Sequence, residues 1–275
     1  MSKLTRILAA LLLVVSWGSL QAQKNAEPAQ WQHLPVVADG QTDEYPELSR
    51  YLSEIKMLYY IGNNDENLYI VMKTYDNAMM QKLMLAGLEI GLDTTSKKKM
   101  RAVIGFPMPR MQAFRRPDDA QQPGERRGGS SERGRFPEPD QMMLKGFIHI
   151  PDGETPLQNP SGIQAKVKVK RGEEFVYEAV IPFKTFFKPM LSPKDKDRVI
   201  SLTFHLPAFE RPENMPQQRP MQGERPMGGE RPMGGSRPGS DHGSGAQRGG
   251  ERPDFELLST ETTIKKLFKL QYNDN

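Results

Sequence analysis

The chain has 275 residues, a formal net charge of +4 and no cysteine. Without a thiol it holds no disulfide, no cysteine nucleophile and no thiolate-ligated metal, so its stability must come from an ordinary apolar core. The small net charge gives no reason to expect a polyanionic partner for the chain as a whole.

The N-terminus has the pattern of an export signal. Lys3 and Arg6 precede an apolar run from Ile7 to Trp17, which ends at small residues around Ala22. The run is short for a membrane span, which needs about 20 apolar residues. Residues 1–22 are therefore expected to be a signal peptide, with a retained anchor as the alternative. Its removal takes Lys3 and Arg6 and leaves a net charge of +2. No cysteine follows the run, so the lipid-modified form of such a signal is excluded. The expected location is secreted or periplasmic.

The remaining 23–275 reads as a single domain interrupted twice. Residues 107–140 and 207–253 are dominated by Arg, Gly, Pro, Glu, Gln and Met, and each carries seven Arg against six acidic residues. Segments of this kind bury too little apolar surface to offset ordering entropy and are expected to be disordered loops. Subtracting them and the signal leaves about 170 residues, enough for one domain.

Strand signals run along the rest. Gln32–Val37 is a candidate first strand. Met57–Ile61 and Leu68–Tyr75 flank the turn cluster Gly62–Asn67 and predict a hairpin. Asn77–Ala86 predicts a short helix capped by Asp76 and stopped at Gly87. Leu88–Leu92, Met100–Phe106 and Met142–Ile150 follow as strands. Ala165, Val167 and Val169 alternate with Lys166, Lys168 and Lys170, the clearest period of two in the chain. Phe175–Ile181, Val199–Leu206 and Lys266–Tyr272 complete the set. Many short strands with one short helix predict an all-β fold, an antiparallel β-sandwich. If each strand from Met100 onward crosses the sandwich once, the loops after Phe106, Lys170 and Leu206 emerge at one end.

Several of these pieces together resemble a known family. They are Val37-Ala38-Asp39-Gly40, Tyr59–Ile61, Asp65-Glu66-Asn67-Leu68-Tyr69-Ile70, Glu89–Asp93 and the Phe175–Phe186 stretch. The pattern resembles the family 9-like carbohydrate-binding modules, which are related to DOMON-type β-sandwiches. The resemblance implies an exported, non-catalytic module that contacts a glycan or a cell-envelope polysaccharide. Members often sandwich a sugar ring between two tryptophans, and several hold structural calcium. Here Trp17 lies in the signal, so Trp31 is the one tryptophan left. Trp31, Tyr45, Tyr59 and Tyr60 are the candidate sugar-stacking residues, with packing inside the sandwich as the alternative role for each. Asp65, Asp76, Asp93 and Glu178 are the candidate calcium ligands implied by the resemblance, with turn and strand-end roles as the alternative.

The catalytic patterns are missing. His33, His149, His205 and His242 lack metal-ligand spacing, and the sequence contains no nucleophile elbow, zincin motif or phosphate loop. No pattern singles out the carboxylate pair that glycoside hydrolysis requires. The remaining enzymatic link is that of an accessory module in polysaccharide breakdown. Met215, Met221, Met227 and Met233 recur every six residues, and thioether sulfur suits Cu(I). Such spacing in a Gly-rich coil separates successive sulfurs by about 13 Å; a flexible tether with a duplicated hexapeptide is the plainer reading. Arg127-Gly128-Gly129 and Arg248-Gly249-Gly250 resemble nucleic-acid-binding pieces, but balanced acidic residues and export argue against that partner. Two functions stand beside the glycan-binding module: a structural or interaction protein of the envelope without a sugar site, and copper buffering by the Met repeat.

Overall fold

The computed structural model describes residues 25–46, 48–95, 97–109, 139–170, 172–209 and 255–273. The signal segment, most of both Arg/Gly/Pro-rich stretches, the four repeat methionines and His242 lie outside the described residues. Among the described residues no helix is long and apolar enough to cross a membrane.

The chain forms a β-sandwich. In chain order the strands are β1 (Glu27–Pro28), β2 (Gln30–Trp31), β3 (Arg50–Leu52), β4 (Met57–Asn63), β5 (Asn67–Thr74), β6 (Glu89–Asp93), β7 (Ala102–Gly105), β8 (Gln141–Lys145), β9 (Gly153–Pro156), β10 (Gln164–Lys170), β11 (Glu174–Pro182), β12 (Val199–Leu206) and β13 (Thr262–Lys269). Helix α1 (Asn77–Ala86) joins β5 to β6, and the short α2 (Phe255–Ser259) precedes β13. One sheet has the order β1-β13-β12-β6-β7-β8-β9, the other β10-β11-β5-β4-β2, with β3 also paired to β4. All pairings are antiparallel except β1 with β13 and β2 with β4.

Alternation along the central strands sets the layers. On β11, Phe175, Tyr177, Ala179 and Ile181 face the core, where they meet Ile70 and Met72 of β5 and Leu202 and Phe204 of β12. The other face of β11 carries Val176 and Val180, which join a second buried cluster with Tyr60, Tyr69 and Val71. The second sheet is therefore covered on its core side and over part of its outer side. Its outer cover is residues 32–46, a strap that runs from Tyr60 of β4 to Lys168 of β10 at Gly40 and back to Tyr60 at Tyr45. This corrects the expected strand at Gln32–Val37: the strand is Gln30–Trp31, and after the Gln32 N–H donates to the Asn63 carbonyl at 2.9 Å the chain leaves the ladder. Val36 and Tyr45 bury themselves in the outer cluster while Leu34 and Val37 stay exposed.

Other expectations are adjusted at their ends. The strand expected over Met142–Ile150 stops at Lys145, where Gly146 and His149 take positive φ values of 72° and 58° and turn the chain into β9. The last strand begins earlier than expected, at Thr262. The helix runs over Asn77–Ala86 as predicted. The Asp76 carboxylate caps it, accepting from the Met79 N–H at 2.8 Å, and pairs with Lys56 at 2.7 Å.

Register fixes which loops share an end. Glu89 lies opposite both Gly105 of β7 and His205 of β12, so these two strands end side by side. The described roots of the two Arg/Gly/Pro-rich stretches, at Pro109 and Phe209, thus leave from the end that carries α1. The β10–β11 turn is at this end too, because Phe175 sits opposite Thr74, just before the helix. The opposite end is tied across the two sheets by Asn63, whose side chain donates to the Gln271 carbonyl at 2.8 Å and accepts from the Gln271 N–H at 3.0 Å.

Replacing Asp76 with Ala removes both the cap and the Lys56 pair and is expected to cost about 1 kcal/mol. Asp76→Asn keeps a capping oxygen and should cost less. Urea midpoints of the two variants check the order.

Candidate functional site

The predicted aromatic residues occupy three different places. Tyr59 points into the core against Phe204 and Phe268, at ring-centroid distances of 6.4 and 6.3 Å, and its hydroxyl donates to Glu27 at 2.6 Å. Tyr60 faces the other side of the same strand. It is buried beneath the strap against Tyr45 at 5.1 Å, with its hydroxyl on Gln32 at 3.0 Å, and burial pushes its pKa up to about 12. Trp31 is half-buried, with its ring edge-on to Tyr272. Tyr45 and Tyr60 come together, but they fill the interior between strap and sheet and present no face to a ligand.

The four candidate calcium ligands are dispersed. Asp65 is in the β4–β5 turn. Asp76 caps α1 at the other end. Asp93 ends β6 and accepts from Thr95 and the Lys99 N–H, beside Arg101 at 3.4 Å. Glu178 lies on the outer face of β11. Among the described residues no three His, Cys, Asp or Glu side chains gather where they could hold a metal ion.

Glu178 has a different and specific task. Its carboxyl is fully buried and takes three donors from the strap: the Tyr45 hydroxyl at 2.5 Å, the Gly40 N–H at 2.8 Å and the Asp39 N–H at 2.9 Å. Gly40 is required there. Its φ of +78° is left-handed, and a Cβ would come 2.9 Å from Cβ of Lys168. Burial pushes the Glu178 carboxyl above the ordinary value, and the three donors oppose that shift without cancelling it. Tyr45 is pushed up as well, by burial and then by the carboxyl it touches.

Two surfaces remain as candidate sites. The first is a cleft of about 650 Å³ along the open edge of the sandwich, between the chain around β9 and Lys184–Thr185. Its floor is apolar, with Ile148, Ile150, Pro151 and Pro160. Much of its polar lining is already committed to the loop itself. Asn159 donates to the carbonyls of Pro156, Leu157 and Ile163 and accepts from Ser161, and Asp152 accepts from the Gly146 N–H.

The second surface is the part of the outer face that the strap leaves bare. Tyr51 and Tyr75 are 55% and 59% exposed there, the two most exposed aromatic side chains of the described core. Tyr51 lies opposite Leu58 and Leu58 opposite Lys73; the next residue across, Val176, is buried in the cluster under the strap, so the bare patch ends at Lys73. The Lys73 ammonium sits 5.1 Å from the centre of the Tyr75 ring and 2.6 Å from Glu174, which also binds Lys170 at 2.7 Å. These ion pairs hold the Lys73 and Lys170 ammoniums above the ordinary lysine value and Glu174 below the ordinary carboxylate value. Sequence reasoning missed both exposed tyrosines. Tyr75 closes an apolar run and Tyr51 stands next to core Leu52, so neither differs locally from a packing residue.

The chain is similar to a solved carbohydrate-binding module of family 9 from Caldicellulosiruptor kristjanssonii, determined in complex with glucose. The two share 12% identity over 90% of this chain and 96% of that one, with a TM-score of 0.34. No family model matches the chain. No curated protein matches it.

Because the Glu178 carboxyl binds its proton more tightly folded than unfolded, its contribution to stability is full below the ordinary glutamate range. It is lost as pH rises through the raised folded value. Glu178→Gln should remove that decline, which denaturation midpoints of both proteins across pH 4–8 would show. Glu178→Ala leaves three buried donors without an acceptor and is expected to cost about 2–4 kcal/mol at any of these pH values.

Proposed function

We propose that this protein is an exported, non-catalytic module that binds a glycan, such as a cell-envelope polysaccharide, through the uncovered outer face of its second sheet. The observation that carries this reading is the pair of exposed tyrosines, Tyr51 and Tyr75, on one sheet face beside a charged hydrogen-bonding group. Aromatic faces offer a sugar ring a flat apolar surface, and the Lys73–Glu174 pair offers donors and acceptors for its hydroxyls. Tyr51 and Lys73 stand on paired strands and Tyr75 directly follows β5, so most of the face is formed before a ligand arrives. Export is supported by the basic, apolar and small-residue pattern of residues 1–22.

The alternative is a structural or interaction protein of the envelope that uses the same face for a protein partner. The two separate by experiment. Screening a glycan array and measuring the hits by calorimetry should find binding that falls about tenfold in Tyr51→Ala and in Tyr75→Ala. Thermal stability should change little, because both side chains are exposed. A folded protein that binds no glycan, or one whose binding ignores both substitutions, leaves the interaction protein in place of the glycan-binding module.

A further inference from the structure

The free edge of the first sheet has no role in the reading so far. Strand β9 ends that sheet, and its far side pairs with no other described strand. Its pairing with β8 decides which of its backbone groups point outward. One step beyond the Gln141–Pro156 pair, the Leu157 N–H donates to the Asp140 carbonyl at 3.2 Å, so those two residues form a hydrogen-bonded pair. Bonded and unbonded pairs alternate along an antiparallel ladder. Thr155 and Gly153 therefore bond to β8, while Glu154 and Pro156 turn their backbone groups to the open edge. Proline has no N–H, and the Pro156 carbonyl accepts from the Asn159 side-chain amide at 3.2 Å. Glu154 keeps an N–H and a carbonyl side by side, and neither has a partner outside the strand among the described residues.

These groups stand at the cleft, which residues 153–155 line on one side and Lys184 and Thr185 on the other. Gly153 and Thr155 face the same way as Leu144 and Met142, the core residues opposite them. A Cβ on Gly153 would meet nothing within 4 Å, so there is room for a foreign side chain beside it. The floor of Ile148, Ile150, Pro151 and Pro160 is apolar, and no tyrosine, tryptophan or phenylalanine lines the cleft to stack on a sugar ring. A ligand that matches one amide donor and one carbonyl acceptor, with apolar groups on either flank, is a peptide in extended conformation.

We propose that the cleft receives an extended segment of a partner polypeptide, which adds a short strand to β9. The residue that pairs with Glu154 takes up its N–H and carbonyl. Its two chain neighbours turn apolar side chains toward the floor, beside Gly153 and Thr155. Pro156 confines the pairing to this one residue, so the added strand is short. The cleft lies apart from the Tyr51–Tyr75 patch, and the proposal does not depend on the glycan reading.

The test selects seven-residue peptides displayed on phage against the full chain, then titrates the most enriched ones as synthetic peptides by calorimetry. They should carry apolar residues two positions apart. Glu154→Pro removes the outward N–H without touching a bond to β8, and edge strands tolerate proline. It should weaken peptide binding about tenfold, whereas Glu154→Ala, which keeps the backbone donor, should stay within about twofold. Methylating the peptide nitrogen between the two apolar residues should also weaken binding about tenfold, and it decides the case on the unaltered protein if Glu154→Pro does not fold. Ile148→Asp puts a charge in the floor at a side chain that is 41% exposed, and should weaken binding with little change in urea midpoint. A folded chain that enriches no binding peptide overturns the proposal, as does binding that survives Glu154→Pro or N-methylation. Dimers of the free chain that Glu154→Pro dissolves make a second copy the occupant of the edge and overturn it as well.

Discussion

One buried carboxyl divides the outer face of the second sheet. Glu178 sits on a central strand, where a side chain without partners would be costly, and the strap supplies all three of its donors. Satisfying that group brings residues 39 to 45 down onto the sheet, and their descent buries Tyr60, Tyr69, Val71 and Val180. The strap covers Val176 and packs Gly40 against Lys168, but it leaves the patch around Tyr51 and Tyr75 open. What is left bare there is a consequence of where the cover stops, and the exposure of Tyr51 and Tyr75 follows from it.

The parts of the fold that were legible in the sequence are those decided locally. The helix needed only the Asp76 cap, an apolar side and Gly87, and its ends agree with the structure. Gln164–Lys170 is a strand because its alternation matches a sheet in which Ala165 and Val167 are buried and the lysines between them are not. The strap defeated that logic. Val36 and Val37 sit in an apolar run that resembles a strand, but Val36 is buried by Tyr69 and its neighbours far along the chain rather than in a ladder, and Val37 stays exposed. Strand β9, Gly153–Pro156, has no aliphatic or aromatic residue, and it pairs with the open edge of β8.

The candidate site was less legible for a related reason. Tyr59 and Tyr60 are neighbours on one strand, so one must face the core and the other the opposite side, and the sequence does not say whether that other side is covered. Tyr51 and Tyr75 became surface residues through pairings between β3, β4, β5 and β11, and no window of sequence contains those four strands. The lysine stripe was visible from the start, but not the strap that packs Gly40 against Lys168.

The parallel pairing of β1 with β13 has a mechanical meaning. Glu27 lies beside Phe268, Pro28 beside Lys269, and the Ala29 N–H donates to the Lys269 carbonyl at 2.8 Å. The first and last described strands therefore run side by side in the same direction, one leading into the domain and the other out of it. Tension drawn between the two ends of the chain would load these hydrogen bonds together, in shear, instead of opening them singly like a zip.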